Sequence, residues 1–530
     1  MTLLFRLGCV LAAIVATATA SVPNLRRVQQ RTSAGIIEGV VSADGNVRVF
    51  KGIPFAAPPV GPLRWREPQP VAPWTGVRQA TEFGPRPMQA REYSDMVFRD
   101  AGPSEDCLYL NVWVPARPQT SGKLPVMVWI FGGGFKAGSA SEPRQDGSAL
   151  CQLGVIVVSL NYRLGVFGFL AHPELSAESA HHASGNYGLM DQVAALKWVH
   201  ENIAGFGGDP ENVTIFGESA GSTSVCCLIA TPLARGLFQK AIGESGAAFP
   251  VGHGMPTLAD AQAEGTNFIQ TRFGGATLED LRQVPAEKLL AESVRMPRPE
   301  FKPVVDGYVL PQDCAELYQR GRQAHVPLLA GSNRDEGRST TLLGSRAPTV
   351  ENFAAAARER YGVHASEFLR VYTAADDAAV ERAAADFGGD LFTGFATWRW
   401  LELHGETSGQ PVYRYEFDQP LPLAADAPAG APRRAPHAAD IEFVFRTLPS
   451  RHLPWQPEDL AVSDLMARFW TNFARTGSPS GPGLPAWPPY DRASDWAVMH
   501  VQTKARSAPD AHRARDLFLQ QYGAGETAAR

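Results

Sequence analysis

The sequence predicts an α/β fold: a large, mostly parallel sheet with helices on both faces. Short β-branched runs at residues 126–130, 155–159 and 213–216 read as buried strands. Longer amphipathic stretches alternate with them, as at residues 190–201, where Val193, Leu196, Lys197 and His200 recur at helical spacing. Strands joined through helices run in one direction, so this rhythm builds a parallel sheet. The composition agrees: 530 residues, 44% hydrophobic and 19% charged, exclude a disordered chain, a collagen and a coiled coil.

Along the chain, Met1 to Arg6 is a short segment with one positive side chain. An apolar stretch follows, and then Ala18-Thr19-Ala20, a small-x-small cleavage pattern. Residues 1–20 therefore read as a signal peptide of an exported protein, periplasmic or secreted, with no stable membrane anchor. Residues 21–530 read as a single domain. The first hundred residues are Pro-rich, and the alternation over residues 36–50 predicts an antiparallel edge ahead of the parallel strands. Residues 257–294 and 349–385 are Ala- and Glu-rich and read as helical excursions above the sheet. Residues 418–436 form a Pro/Ala loop of a length that is often functional. No internal repeat is present, and residues 523–530 read as a frayed end.

Lys and Arg number 49 against 54 Asp and Glu, a net charge of −5 with no basic block, which argues against nucleic-acid binding. Five cysteines remain beyond the leader: Cys107, Cys151, Cys226, Cys227 and Cys314. They form no C-x-x-C pair and are too few for a disulfide scaffold, so buried free thiols are expected, with no metal and no cofactor.

Gly217-Glu218-Ser219-Ala220-Gly221 is a G-x-S-x-G string between the strand at 213–216 and a helical run at 222–229. Strand, tight turn and helix are what a nucleophile elbow needs: the glycines admit a strained turn that lifts the serine hydroxyl above the sheet. The helix N-terminus then aims free N–H groups at developing negative charge. A second string, Gly243-Glu244-Ser245-Gly246-Ala247, lacks the fifth glycine and opens no helix, so Ser245 reads as structural. Phe131-Gly132-Gly133-Gly134-Phe135 follows the strand at 126–130, and the amides of Gly133 and Gly134 with that of Ala220 are candidate donors to a tetrahedral oxyanion.

A serine hydroxyl needs a base, and in a Ser–acid–His order the base follows the acid. The apolar run 326–330 reads as a strand ending in Gly331-Ser332-Asn333-Arg334-Asp335-Glu336-Gly337. Glu336 is the first choice for the acid and Asp335 the second. Six histidines follow: His364, His404, His437, His452, His500 and His512. His404 falls in a helical run with Trp398 and Leu401, and His364 and His512 in polar helical contexts. His437 ends the long loop just before the apolar segment 441–445 and suits a base, with His452, also in a loop, as runner-up.

Taken together these strings resemble the type-B carboxylesterase/cholinesterase family of α/β-hydrolases. Two long patterns carry the resemblance: Phe206-Gly207-Gly208-Asp209-Pro210-Glu211-Asn212-Val213-Thr214-Ile215-Phe216-Gly217-Glu218-Ser219-Ala220-Gly221, and Glu105-Asp106-Cys107-Leu108-Tyr109-Leu110-Asn111-Val112-Trp113. Lys51-Gly52-Ile53-Pro54-Phe55-Ala56, Asn161-Tyr162-Arg163, Gly185-Asn186-Tyr187-Gly188-Leu189 and Asp335-Glu336-Gly337 support it, over residues 36–500. The resemblance implies the α/β-hydrolase fold with helical excursions over the active site and a small-molecule ester substrate. It also implies a triad of Ser219, Glu336 and His437 and an oxyanion hole at Gly133, Gly134 and Ala220. Acyl transfer to water by that triad is carboxylesterase chemistry. An amidase or carbamate hydrolase would use the same groups, whereas a binding protein on this fold would lack one of them. The sequence carries no signal for an oligomeric state.

The chain departs from the family pattern in three places. The family bonds the cysteine matching Cys107 to one shortly upstream, where this sequence has Pro87, so Cys107 is expected free and residues 89–104 more mobile. Cholinesterases carry in that loop a tryptophan that holds a quaternary ammonium, and Val97-Phe98 stand there instead, which argues against a choline ester. Phe131 replaces the histidine that many lipases place before their glycines. Glu218, beside the nucleophile, adds negative potential that could aid a cationic transition state or position water, or it is a packing residue of the elbow.

Overall fold

In a computed structural model, residues 25–117, 122–252, 254–296 and 300–525 are described. The leader expected at 1–20 lies outside them. A thirteen-stranded mixed sheet runs through the described residues. Its strands are β1 (Arg27–Arg31), β2 (Ile36–Val41), β3 (Val47–Pro54), β4 (Val77–Gln79), β5 (Tyr109–Pro115), β6 (Leu124–Ile130), β7 (Ile156–Leu160), β8 (Gly208–Glu218), β9 (Lys240–Glu244), β10 (Leu328–Asn333), β11 (Val412–Phe417), β12 (Ala497–Val501) and β13 (Arg506–Pro509). The order is β1-β2-β3-β5-β7-β6-β8-β9-β10-β11-β12-β13, with β4 paired to β2.

The seven strands from β7 to β12 pair in parallel. The edge formed by β1, β2, β3 and β5 is antiparallel, as the alternation over 36–50 predicts. Every residue of β6 and β7 is buried, because helices cover both faces of the parallel part. In β2 burial alternates, as in a strand covered on one face only. The strand expected from residue 326 begins at Leu328, since Pro327 has no N–H to give to the ladder.

The C-terminal ends of the parallel strands bring the functional segments to one edge, the usual site of chemistry in such sheets. The glycine loop follows β6, Ser219 follows β8, Ser245 follows β9, Glu336 lies three residues past β10, and the loop to His437 leaves β11. The helices Leu258–Phe273, Leu278–Gln283 and Ala286–Val294, and Val350–Tyr361, Ala365–Val371 and Asp377–Gly389, are the excursions the composition predicts. No helix among the described residues is long and apolar enough to cross a membrane.

Cys107, Cys151, Cys226, Cys227 and Cys314 are free and buried. Residues 89–104, expected to be more mobile without a disulfide, carry polar contacts that fasten them. The buried Asp100 carboxylate takes Arg86 Nη1 at 2.6 Å and the hydroxyls of Ser139 and Ser141 at 3.1 and 2.5 Å. The Gln89 side chain bonds Gly138 twice, accepting from its N–H at 2.9 Å and donating to its carbonyl at 2.7 Å. Arg86–Pro87 pairs with Pro103–Ser104 as a short parallel ladder at the place where the family has its bond.

Candidate active site

Ser219 sits between β8 and the helix Ala220–Ala230 with φ 55° and ψ −118°, a conformation that costs free energy in a residue with a Cβ. The turn is tight because two glycines let backbones meet. A Cβ on Gly221 would lie 2.0 Å from the Ile130 carbonyl oxygen, and one on Gly217 2.6 Å from the same atom. The Ser219 N–H donates to the Glu244 carbonyl at 2.8 Å, tying the elbow to β9.

His437 Nε2 lies 3.0 Å from Ser219 Oγ, and its Nδ1 lies 3.1 Å from Glu336 Oε1. The three residues are 101 and 218 positions apart in sequence and form one line of contacts. Burial alone would raise the Glu336 carboxyl, but His437 and the hydroxyls of Ser245 and Thr393 outweigh it and hold it below the ordinary range. Burial likewise pushes His437 down, yet the Glu218 and Glu336 carboxylates prevail and bring it up to about 9.

The loop carrying His437 is clamped from β10. Asn333 Nδ2 donates to the Pro436 carbonyl at 2.9 Å and to Asp440 Oδ1 at 3.1 Å. Asp335, the second candidate for the acid, holds the same loop: its Oδ2 accepts from the Ala435 N–H at 2.8 Å and its own N–H donates to the Ala435 carbonyl at 2.9 Å. Its other oxygen takes Arg382 at 2.6 Å. Asp335 thus anchors the histidine's loop and does not meet the histidine. His452, the runner-up base, is exposed. His404 is buried with Nε2 2.7 Å from the Val326 carbonyl oxygen.

Gly133 and Gly134 follow β6 with φ of 104° and 64°, and their amides donate to no group among the described residues. Ala220 opens its helix, so its amide has no partner within the helix. Phe131 stacks on Tyr162 with centroids 4.6 Å apart, and Tyr162 Oη donates to the Phe131 carbonyl at 2.9 Å, which fixes the root of the glycine loop. A cavity of about 720 Å³ lies against Ser219, Ala220 and Gly134, walled by Leu290, Met296 and Phe301.

A sequence model of the carboxylesterase family matches residues 26–519. The chain belongs to the carboxylesterase family. It is 39% identical to the fumonisin B1 esterase of Sphingopyxis macrogoltabida over 523 residues, which cover 93% of this chain and 89% of that one. It is 36% identical to the para-nitrobenzyl esterase of Bacillus subtilis (strain 168) over 513 residues, covering 92% and 98%. A solved thermophilic PNB esterase superposes with a TM-score of 0.77 at 34% identity, covering 92% of this chain and 99% of that one. The fold is the α/β-hydrolase fold, and the enzyme is a carboxylic-ester hydrolase acting on small-molecule esters.

Around the candidate triad this carboxylesterase holds contacts that sequence reasoning missed. Ser245, read as structural, donates its hydroxyl to Glu336 Oε1 at 2.6 Å. The failed elbow at Gly243-Glu244-Ser245-Gly246 keeps the elbow's backbone, with Ser245 at φ 56°, and so lifts a hydroxyl beside the acid. Thr393 donates to Glu336 Oε2. It lies on a π-helical turn, Asp390–Gly394, that swings Thr393 toward the acid and leaves Phe392 56% exposed. The Phe392 ring stands edge-on to His437 with centroids 4.8 Å apart. Phe249 and Phe395 are buried, whereas Phe301 and Phe392 line the cavity. Glu218 is buried with Oε1 3.2 Å from His437 Nε2. Burial is the largest influence on it and raises it to about 8.

Proposed function

We propose that this carboxylesterase cleaves its esters through an acyl-enzyme on Ser219, with His437 as base and Glu336 as the orienting acid. The observation that carries the reading is the unbroken contact line from Ser219 Oγ through both ring nitrogens of His437 to Glu336. Ser219 Oγ attacks the ester carbonyl as its proton passes to His437 Nε2. Glu336 holds Nδ1–H and stabilises the imidazolium. The amides of Gly133, Gly134 and Ala220 receive the oxyanion, each donor worth on the order of 3 kcal/mol of barrier. The carbonyl–alkoxy bond then breaks, and the alcohol leaves with the proton from Nε2. Water repeats the sequence with its proton going to His437, which frees the acid and restores Ser219.

The reading extends to the whole mature chain. Residues 21–530 act as one domain, and the pattern of residues 1–20 directs export to the periplasm or the medium. Hydrolysis of p-nitrophenyl esters from acetate to dodecanoate by the wild type and Ser219→Ala tests the assignment. Activity lost by at least about 10³-fold in the variant, with a chain-length optimum in the wild type, supports it. Undiminished turnover by Ser219→Ala overturns it.

A further inference from the structure

We propose that Glu416, Asp418 and His500, with His512 beside them, form a site for one divalent transition-metal ion of the zinc class. Donor atoms of Glu416, Asp418 and His500 all lie within 4.8 Å of one another. Glu416 and His500 are register partners on β11 and β12, and Asp418 is the first residue beyond β11, so the sheet itself sets the spacing. Asp418 Oδ2 is 2.7 Å from His500 Nδ1, and His512 Nδ1 is 3.6 Å from Glu416 Oε2. Metal–nitrogen and metal–oxygen bonds of about 2.0–2.2 Å put ligand atoms at most about 4 Å apart, so a movement of roughly half an ångström closes the set on an ion.

A second observation points to a ligand. The Glu416 side chain is only 15% exposed, yet its carboxylate accepts no hydrogen bond among the described residues. Glu416 and His512 both line a cavity of about 290 Å³ that also touches Glu336 and is rich in charged side chains, which gives an ion a way in. His500 is paired with Asp418, and Arg414 and Arg515 attract the Glu416 carboxylate, but both arginines are engaged by other carboxylates. Arg414 is held by Asp510 at 2.5 Å and Asp516 at 3.4 Å, and Arg515 by Asp386 at 2.9 Å and Asp390 at 3.1 Å. Arg506, opposite His500 on β13, is exposed.

Mixed imidazole and carboxylate donors suit zinc and its neighbours better than calcium or magnesium. On binding, His500 presents Nδ1 as a lone pair with its proton on Nε2, and both carboxylates bind ionised. The ion would cross-link the ends of β11 and β12 at the root of the loop that runs from Asp418 to His437. The site is structural and takes no part in the reaction. It escapes a search for cysteine pairs because its members stand 82 and 96 positions apart.

The test is zinc content of the full enzyme after chelator treatment, reloading with Zn²⁺ and desalting, read with the thermal midpoint. One zinc per chain and a raised midpoint are expected, with a Co²⁺-loaded sample showing the d–d bands of a low-coordinate site. His500→Gln should lose the ion. Glu416→Gln removes a ligand without removing a hydrogen bond, so it should fold and bind at least about 10-fold more weakly. A wild type that retains no zinc, or a Glu416→Gln/His500→Gln protein that still retains one, overturns the site.

Discussion

Glu218 Oε1 lies 3.2 Å from His437 Nε2, the nitrogen that also faces Ser219 Oγ at 3.0 Å. The candidate base therefore feels two carboxylates, one on each ring nitrogen. Both stabilise the imidazolium once Glu218 is ionised, above about 8, and His437 is brought up to about 9 against an ordinary value of 6.5. A base must be neutral to accept a proton, so kcat/KM should rise with pH through an apparent pKa well above 6.5. Glu218→Gln removes one negative charge, imidazolium becomes less favoured, and the limb should move to lower pH. A pH profile of kcat/KM for both proteins decides it, and a limb that stays put in the variant contradicts this account of Glu218.

Ser245 and Thr393 each donate a hydroxyl hydrogen bond to Glu336. A hydrogen bond to a charged group is worth about 1.5–3 kcal/mol. Ser245→Ala and Thr393→Val should each lower kcat about 10- to 100-fold and leave KM nearly unchanged, since neither bond involves the ester. Steady-state kinetics with unfolding curves for the folded variants check this. A change confined to KM would mean that these hydroxyls contact substrate instead.

Phe392 presents an exposed ring edge-on to His437 and lines the cavity. An aromatic contact of this kind is worth about 0.5–1.5 kcal/mol beyond area burial. Phe392→Ala should cut kcat/KM for long acyl chains about 3- to 10-fold more than for acetate. Equal losses along the p-nitrophenyl series would limit Phe392 to packing against the histidine.

Asp100 substitutes polar fastening for the missing disulfide. Its side chain is 0% exposed and receives Arg86, Ser139 and Ser141. Asp100→Ala leaves these donors unpaired, and breaking such a buried pair costs about 3–5 kcal/mol. Chemical denaturation should show a loss of that order, with residues 89–104 becoming the first proteolytic cut. An unchanged midpoint would show that the short ladder at Arg86–Pro87 suffices.

The parallel strands, the elbow and the glycine loop were legible because each is written locally: a β-branched run, then glycines, then helical spacing. β10 started late because Pro327 cannot donate, a backbone fact that an apolar run does not reveal. Choosing Glu336 over Asp335 needed more than proximity to a strand. The two carboxylates are adjacent, and only the fold sends Asp335 to the Ala435 backbone and Glu336 to the histidine. The contact of Ser245 with Glu336 was not legible because it comes from β9 lying beside β10, not from its own motif. Thr393 left no trace because a π-helical turn, which no periodicity announces, aims it. The fasteners of residues 89–104 pair Asp100 and Gln89 with groups 39 to 49 positions away, beyond the reach of local pattern.

The central claim is that Ser219 carries the acyl group. Stoichiometric reaction with a p-nitrophenyl alkylphosphonate, followed by peptide mass mapping, tests it most directly, because the phosphonyl group stays where the acyl group would form. The account predicts one phosphonyl group per chain, on the peptide containing Ser219, with esterase activity lost in proportion and no labelling of Ser219→Ala. Labelling on the Ser245 peptide instead, or full activity in a protein fully labelled at Ser219, would contradict it.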